Sequence, residues 1–473
     1  MKENEDYKIY LAGEFISTKE ILEVKNPFSG EVIANTFLAG NQELETAITL
    51  ALQARKPLSE LPSFVRYEAL MLIAKELKNF KDYFAKTLSY ESAKPMRYAK
   101  GEVERAIQTF IVAAEESKRL PSESLSLDWT KAGQGKQGLV KYFPIGVVAG
   151  ISPFNFPLNL AVHKIAPAIA SACPIILKPS SSTPLSTLAL ARIIDKCNLP
   201  KGAVSILPMN RIIGNLMVQD ERIKMLSFTG SPQVGWKMKS QAGKKKVLLE
   251  LGGNAGVIVT GSADINHAVE RCLIGAFAYS GQVCIHAQRI FVLEEIFEEF
   301  SNKFVEKVKR LKRGSPNEET TEISSMIDEN NSQRVESWVN EAISEDAKLL
   351  CGGHREGNYY EPTVLTKTNS KMKVCALEVF GPVVTLESVT SFESAVDEIN
   401  ESDFGLQAGV FTNIISEMDY AHKNIEVGGV IINDVPTFRV DHAPYGGIKN
   451  SGLGREGVKY SILEMMEPRI LVR

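Results

Sequence analysis

Gly146-Val147-Val148-Ala149-Gly150-Ile151 is an apolar, β-rich run, and Pro153-Phe154-Asn155-Phe156-Pro157 follows it as a loop stiffened by two prolines. Runs of the same kind recur at 174–178, 203–207, 225–228, 247–251 and 257–259, with helical stretches between them. Strands alternating with helices predict an α/β fold built on a parallel, doubly wound sheet. Further along, strands expected near 289–293, 383–388, 408–411 and 429–433 predict a second α/β unit, with a crevice between the two. Upstream, 7–11, 21–25 and 31–37 alternate as hairpin strands around Asn26-Pro27-Phe28-Ser29-Gly30. Amphipathic helices then run from an expected N-cap at Asn41 to about Leu120, and 122–141 returns to polar, strand-like alternation.

With 473 residues, the chain exceeds what one compact core organises. A net charge of −3 removes any electrostatic reason to expect nucleic acid or an anionic membrane as partner. The basic stretch 303–313 carries Phe304, Val308 and Leu311 at helical spacing and reads as a solvated helix stopped by Gly314 and Pro316. The cysteines at 173, 197, 272, 284, 351 and 375 form no CxxC pair, so neither a disulfide framework nor a zinc site is expected. The opening Met-Lys-Glu-Asn-Glu-Asp lacks the apolar core of a signal peptide, and runs such as 165–177 are too short to span a membrane. A reduced, cytoplasmic protein is the expectation.

Several short stretches carry chemistry. Phe228-Thr229-Gly230-Ser231 ends a strand, turns at Gly230 and offers a hydroxyl at a helix start, as a pyrophosphate requires. Pro174-Ile175-Ile176-Leu177-Lys178 delivers Lys178 to the edge of a sheet where ligands bind. Val247-Leu248-Leu249-Glu250-Leu251-Gly252-Gly253 buries a carboxylate in an apolar strand, which is costly without a role and suits a general base of raised pKa. Gly281-Gln282-Val283-Cys284 presents a thiol able to attack a carbonyl. Asn155, between its prolines, suits an oxyanion donor partnered by the Cys284 backbone N–H. Singly, each has a plain structural alternative: a helix cap, an exposed lysine, a satisfied glutamate, a core cysteine, a turn asparagine.

Together, and in this order, these stretches resemble the aldehyde dehydrogenase family. Phe154-Asn155-Phe156-Pro157-Leu158, Leu177-Lys178-Pro179, Leu249-Glu250-Leu251-Gly252-Gly253, Glu378-Val379-Phe380-Gly381-Pro382 and the tail Pro444-Tyr445-Gly446-Gly447 to Gly457 carry the likeness over nearly the whole chain. The resemblance implies Cys284 as nucleophile, Glu250 as base and Asn155 as oxyanion donor. It also implies an NAD or NADP site built from Lys178, Ser181, Gly230, Ser231, Glu378 and Phe380, with Ile151 and Phe154 beside it. The implied architecture is a cofactor domain (1–122 and 143–252), a catalytic domain (253–440) and an oligomerisation arm (123–142 and 455–473), in a homodimer or homotetramer.

Two departures from the family pattern stand out. Ser181 occupies the position where NAD-preferring members carry a glutamate that repels a 2′-phosphate, so NADP use is predicted. Leu207-Pro208-Met209-Asn210 replaces a glycine-rich turn. The overall likeness, including Thr437-Phe438-Arg439-Val440-Asp441-His442, is to the branch with lactaldehyde, non-phosphorylating glyceraldehyde-3-phosphate and phosphonoacetaldehyde dehydrogenases. Arg105 and Arg439 are the candidate substrate residues, since guanidinium suits a small hydroxylated or anionic aldehyde. A cysteine hydrolase or acyltransferase pairing Cys284 with His286 or His442, and a catalytically silent protein on the same fold, are the competing readings. Retention of Glu250 argues against a coenzyme A acceptor. No role is assigned to His163 or His442.

Overall fold

A computed structural model of the chain describes residues 6–473; the hydrophilic opening, residues 1–5, lies outside them. Val147–Ile151 forms the middle of the first sheet, all five residues buried as a strand covered on both faces requires. Its neighbours run parallel in the order Val204–Ile206, Ile175–Lys178, Val147–Ile151, Ile223–Thr229, Lys246–Glu250. The chain winds outward to one side, then crosses back, so the topological switch point lies beside Val147–Ile151. Pairing sets Ile151 opposite Lys178 and Phe228, and Thr229 opposite Glu250, which lines these residues up along one sheet edge. Antiparallel strands finish the flanks: Ile9–Leu11 with Glu14–Ile16 on one, Gly452–Leu453 on the other.

The second sheet orders Lys348–Cys351, Thr363–Thr366, Val383–Val389, Ala287–Leu293, Ala255–Val259, Gln407–Phe411 and Gly429–Ile432. Ala255–Val259, grouped by sequence with the first series, belongs here: the Gly252-Gly253 break carries it across to pair with Ala287–Leu293. Lys348–Cys351 and Thr363–Thr366 escape the sequence reading because they are short and half-polar.

Three local expectations shift. The first long helix begins at Asn41 itself; Gly40 is the cap, and its N–H donates to the Glu43 carboxylate at 2.8 Å. The helix holding Phe304 and Val308 spans Glu294–Val308, so most of the basic run follows it instead of riding on it. Ser122–Ser126, Gln137–Pro144 and Met466–Val472 make a three-stranded antiparallel sheet. The helix Val458–Glu464, expected in the arm, instead buries Val458 and Ile462 in the core beneath the first sheet, with Leu158 and Ile165. No helix among the described residues is long and apolar enough to cross a membrane.

Candidate active site

Glu250 ends its strand, and the two glycines that follow bring three segments together. A Cβ on Gly252 would lie 2.3 Å from a Glu378 carboxylate oxygen, and one on Gly253 2.2 Å from the Cys284 carbonyl oxygen. The cysteine loop is bent as sharply. Tyr279 and Ser280 hold φ of 50° and 53°, a left-handed conformation that costs each about 1–2 kcal/mol. Hydrogen bonds hold the bend: the Tyr279 hydroxyl donates to Ser92 O at 3.0 Å, Ser280 Oγ to Ser324 O at 2.7 Å, and the Ile327 N–H to Gln282 Oε1 at 2.9 Å.

Cys284 is half-buried, and its Sγ lies 3.2 Å from the Tyr445 hydroxyl. Burial pushes the thiol up to about 11; the Tyr445 hydroxyl pulls it down and Glu378 pushes it up. At neutral pH the resting sulfur is therefore a thiol. Neither candidate histidine serves it. His286 is buried, pushed down to about 4 by that burial, and no side chain among the described residues bonds its ring, while His442 is exposed. The hydrolase reading loses its base.

Asn155 is buried with its Nδ2 donating to Gln282 O at 3.0 Å, two residues before the cysteine. Its carbonyl accepts from Lys94 Nζ at 2.6 Å. Lys94 in turn pairs with Glu102, whose other oxygen accepts the N–H groups of Leu158 (3.0 Å) and Asn159 (3.1 Å), in the first turn of the helix Pro157–Ala170. A buried ion pair anchored on a helix N-terminus thus holds the asparagine loop.

Glu250 is 3% exposed, and no side chain among the described residues hydrogen-bonds either carboxylate oxygen. Burial raises this carboxyl well above the usual range and Glu456 adds to the rise, against Arg439 and Lys164. Glu456 accepts from Lys164 Nζ at 3.2 Å and from Arg439 Nη2 at 3.1 Å. Burial works to raise Glu456 too, but Lys164, His163 and Arg439 more than reverse it. Two carboxyls in one pocket are driven apart: Glu456 is pulled down by its cations, and Glu250 is pushed up by burial.

That pocket continues toward the surface. His163 Nε2 lies 2.8 Å from Asp441 Oδ1, and Asp441 accepts from Arg105 Nη2 at 2.7 Å. Arg439 sits over the Tyr445 ring, its Cζ 3.6 Å from the ring centre. Sequence reasoning passes over Lys164, Glu456 and Tyr445. Lys164 could have been found by the argument used for Glu250, as a charge set in an apolar helix that is buried throughout. A cavity of about 830 Å³ opens beside the thiol, and Cys284, Tyr445, Tyr98, Phe156, Arg105 and Arg439 are among its lining residues. Both candidate substrate arginines thus face one cavity, each with a carboxylate partner already.

The residues expected at a dinucleotide form a separate set. The Lys178 ammonium reaches only the Pro179 carbonyl, at 3.4 Å, among the described residues; burial, and then Arg211, lowers it to about 8. Ser181 lies half-buried on the loop that follows. Asn210, in the departure noted above, caps Arg211–Gln219 through Ile213 N–H at 3.0 Å. Ser231 precedes Pro232–Gln241 and makes no side-chain cap, which leaves its hydroxyl open, and the Gly230 N–H is tied to Glu250 O at 3.1 Å. Glu378 accepts one N–H, from Gly253 at 3.0 Å, and burial pushes it up to about 7. Phe380, at φ 47°, meets Phe154 edge to face with ring centres 5.8 Å apart. A half-buried ammonium without a carboxylate, a helix start with a free hydroxyl and a carboxyl with an open oxygen fit a nicotinamide dinucleotide.

Residues 15–471 match the model of the aldehyde dehydrogenase family. The chain is 41% identical over 467 residues to the 3-sulfolactaldehyde dehydrogenase of Priestia aryabhattai, covering 98% of each. The solved structure of aldehyde dehydrogenase 21 from Physcomitrella patens, in complex with the reaction product succinate, superimposes with a TM-score of 0.98 at 45% identity, covering 99% of this chain and 98% of that one. For glyceraldehyde-3-phosphate dehydrogenase GapN from Methanocaldococcus jannaschii, complexed with NADP, the values are 0.92 and 39%, covering 96% and 99%. Likeness of this length and identity, with the motifs in register, means that the chain belongs to the aldehyde dehydrogenase family.

Proposed function

We propose that this aldehyde dehydrogenase oxidises a small anionic or hydroxylated aldehyde to its acid through a thioester on Cys284, using NADP at least as well as NAD. The observation that carries the reading is one sulfur on the wall of an arginine-bearing cavity, with Glu378 and Glu250 near enough to act on it. The relatives point the same way: one is named for a sulfonated hydroxyaldehyde, one structure holds succinate and another NADP.

The Cys284 sulfur attacks the carbonyl carbon, and the charge that gathers on oxygen is met by Asn155 Nδ2 and the Cys284 N–H. A bound nicotinamide dinucleotide supplies the acceptor for the hydrogen of that carbon. Lys178, with Ser181 and Arg211 near it, receives the adenosine ribose and its 2′-phosphate, Ser231 the pyrophosphate and Glu378 the second ribose. Glu250, once deprotonated, takes a proton from the water that opens the thioester. The three-stranded sheet carries exposed Ile470, Leu471 and Val472, and we assign it to contact between copies of the chain. The free state of all six cysteines suits a reducing, cytoplasmic setting.

Following NADPH and NADH formation with 3-sulfolactaldehyde, the semialdehyde of succinate and uncharged lactaldehyde tests this. Turnover of at least one, with kcat/KM for NADP no lower than for NAD, is expected. Absence of reduced cofactor with all three, or a strong NAD preference, overturns the corresponding part.

A further inference from the structure

We propose that the Tyr445 hydroxyl is a catalytic group, donating a hydrogen bond to the Cys284 sulfur whenever that sulfur carries negative charge. The proposal rests on Cys284 being the nucleophile. The oxygen and sulfur stand 3.2 Å apart, both on the wall of the substrate cavity. Tyr445 is 4% exposed and cannot swing away: its N–H donates to Glu456 O at 2.9 Å, the Glu456 N–H returns a bond to Tyr445 O at 2.6 Å, and the Arg439 guanidinium covers its ring. Burial, and then the thiol, keep the phenol well above its usual range, so the O–H remains intact when the sulfur ionises and the hydrogen bond has one direction. The cation on the ring draws density from the phenol and makes it a better donor.

The group acts twice without giving up its proton. On acylation the thiol proton leaves to water in the cavity, and the thiolate accepts the Tyr445 O–H until its pair forms the bond to carbon. On deacylation water adds to the thioester carbon, its proton goes to Glu250, and the carbon–sulfur bond breaks with the pair returning to sulfur, where the same O–H receives it. The titratable and charged groups facing the pair are Glu250, Glu378, Arg439 and Glu456. All four survive in Tyr445→Phe, so that change reads the hydroxyl alone.

Alkylation of Cys284 by iodoacetamide, followed by mass spectrometry across pH in the full-length protein, is the test. Tyr445→Phe should raise the midpoint by about one pH unit and slow labelling near neutrality about tenfold. Hydrolysis of p-nitrophenyl acetate, which needs the thiol but no dinucleotide, should fall to match with its profile shifted the same way. Should the phenylalanine variant fail to fold, Tyr445→Met, also without an O–H, gives the same reading. A folded variant whose labelling midpoint equals that of the parent overturns the proposal. Cys284→Ser separates the two layers: if it still oxidises aldehyde, the nucleophile assignment has failed; if it is dead while Tyr445→Phe titrates normally, only the role of Tyr445 falls.

Discussion

Lys178, half-buried at its strand end, and Arg439, with a side chain 7% exposed, are cations in the two halves of the site, and they are kept in opposite ways. Lys178 has no carboxylate, and burial pulls it down to about 8. Burial works to lower Arg439 as well, but the carboxylates of Glu456 and Asp441 beside it more than reverse it. An unpaired buried ammonium gains most when an anion arrives, whereas a guanidinium with its carboxylate in place gains little and acts as a fixed field. The cofactor half is thus built with open valences, and the substrate half is largely satisfied within itself. Arg105, with a side chain 29% exposed against 7% for Arg439, has more freedom to turn to an anionic substrate.

The sharpest way to break this picture is Cys284→Ser, expected to lower aldehyde oxidation on the order of 10⁴-fold or more while leaving dinucleotide binding, read by fluorescence titration, in place. Glu250→Gln should keep a first-turnover burst of reduced cofactor but slow the steady state about 10²–10⁴-fold; loss of the burst as well would remove Glu250 from the hydrolytic step. In the parent enzyme the raised Glu250 carboxyl must lose its proton first, so single-turnover deacylation should climb as pH rises through its midpoint.

Smaller changes probe the open half against the satisfied one. Lys178→Ala and Ser181→Glu should each reduce kcat/KM for NADP about ten- to hundredfold and spare NAD more; equal losses on both cofactors would place the 2′-phosphate elsewhere. Arg105→Gln should cost an anionic aldehyde about tenfold in kcat/KM and leave lactaldehyde within a factor of two; equal losses would mean that Arg105 serves only to hold Asp441.

The smallest effect concerns stability. Burial raises the Glu250 carboxyl in the fold, whereas the unfolded chain ionises it at its ordinary pKa, so its contribution is complete at low pH and is lost as pH rises toward the raised folded value. Glu250→Gln should therefore melt about 1–3 °C higher than the parent at pH 8, with no gain at pH 4. A gain at both values would point to packing instead of charge.

Legibility varied residue by residue. Glu250 was visible because a carboxylate inside Val247-Leu248-Leu249 has no cheap explanation, and the parallel, doubly wound character of the first sheet was expected from its alternation, while its strand order was not. Lys164 obeys the same logic but hides among alanines and prolines of a helix, where a lone lysine usually marks the solvent face. The boundary at Asn41 was misplaced because asparagine is a good cap, and what decided the start was a glutamate three residues past Gly40 reaching back. Arg439 could be named from its motif, but nothing local shows that Glu456 and Tyr445 enclose it.

Runs of apolar residues, glycines at tight passages and an ordered set of motifs act within a few residues of themselves, so fold class and family could be read along the line of the chain, and Cys284, Glu250 and Asn155 could be named as candidates. Protonation states, the partners of the arginines and the tyrosine against the sulfur could not. They depend on fields and contacts between segments far apart in sequence, such as Lys164 with Glu456 and Cys284 with Tyr445, and those distances exist only once the two sheets have packed.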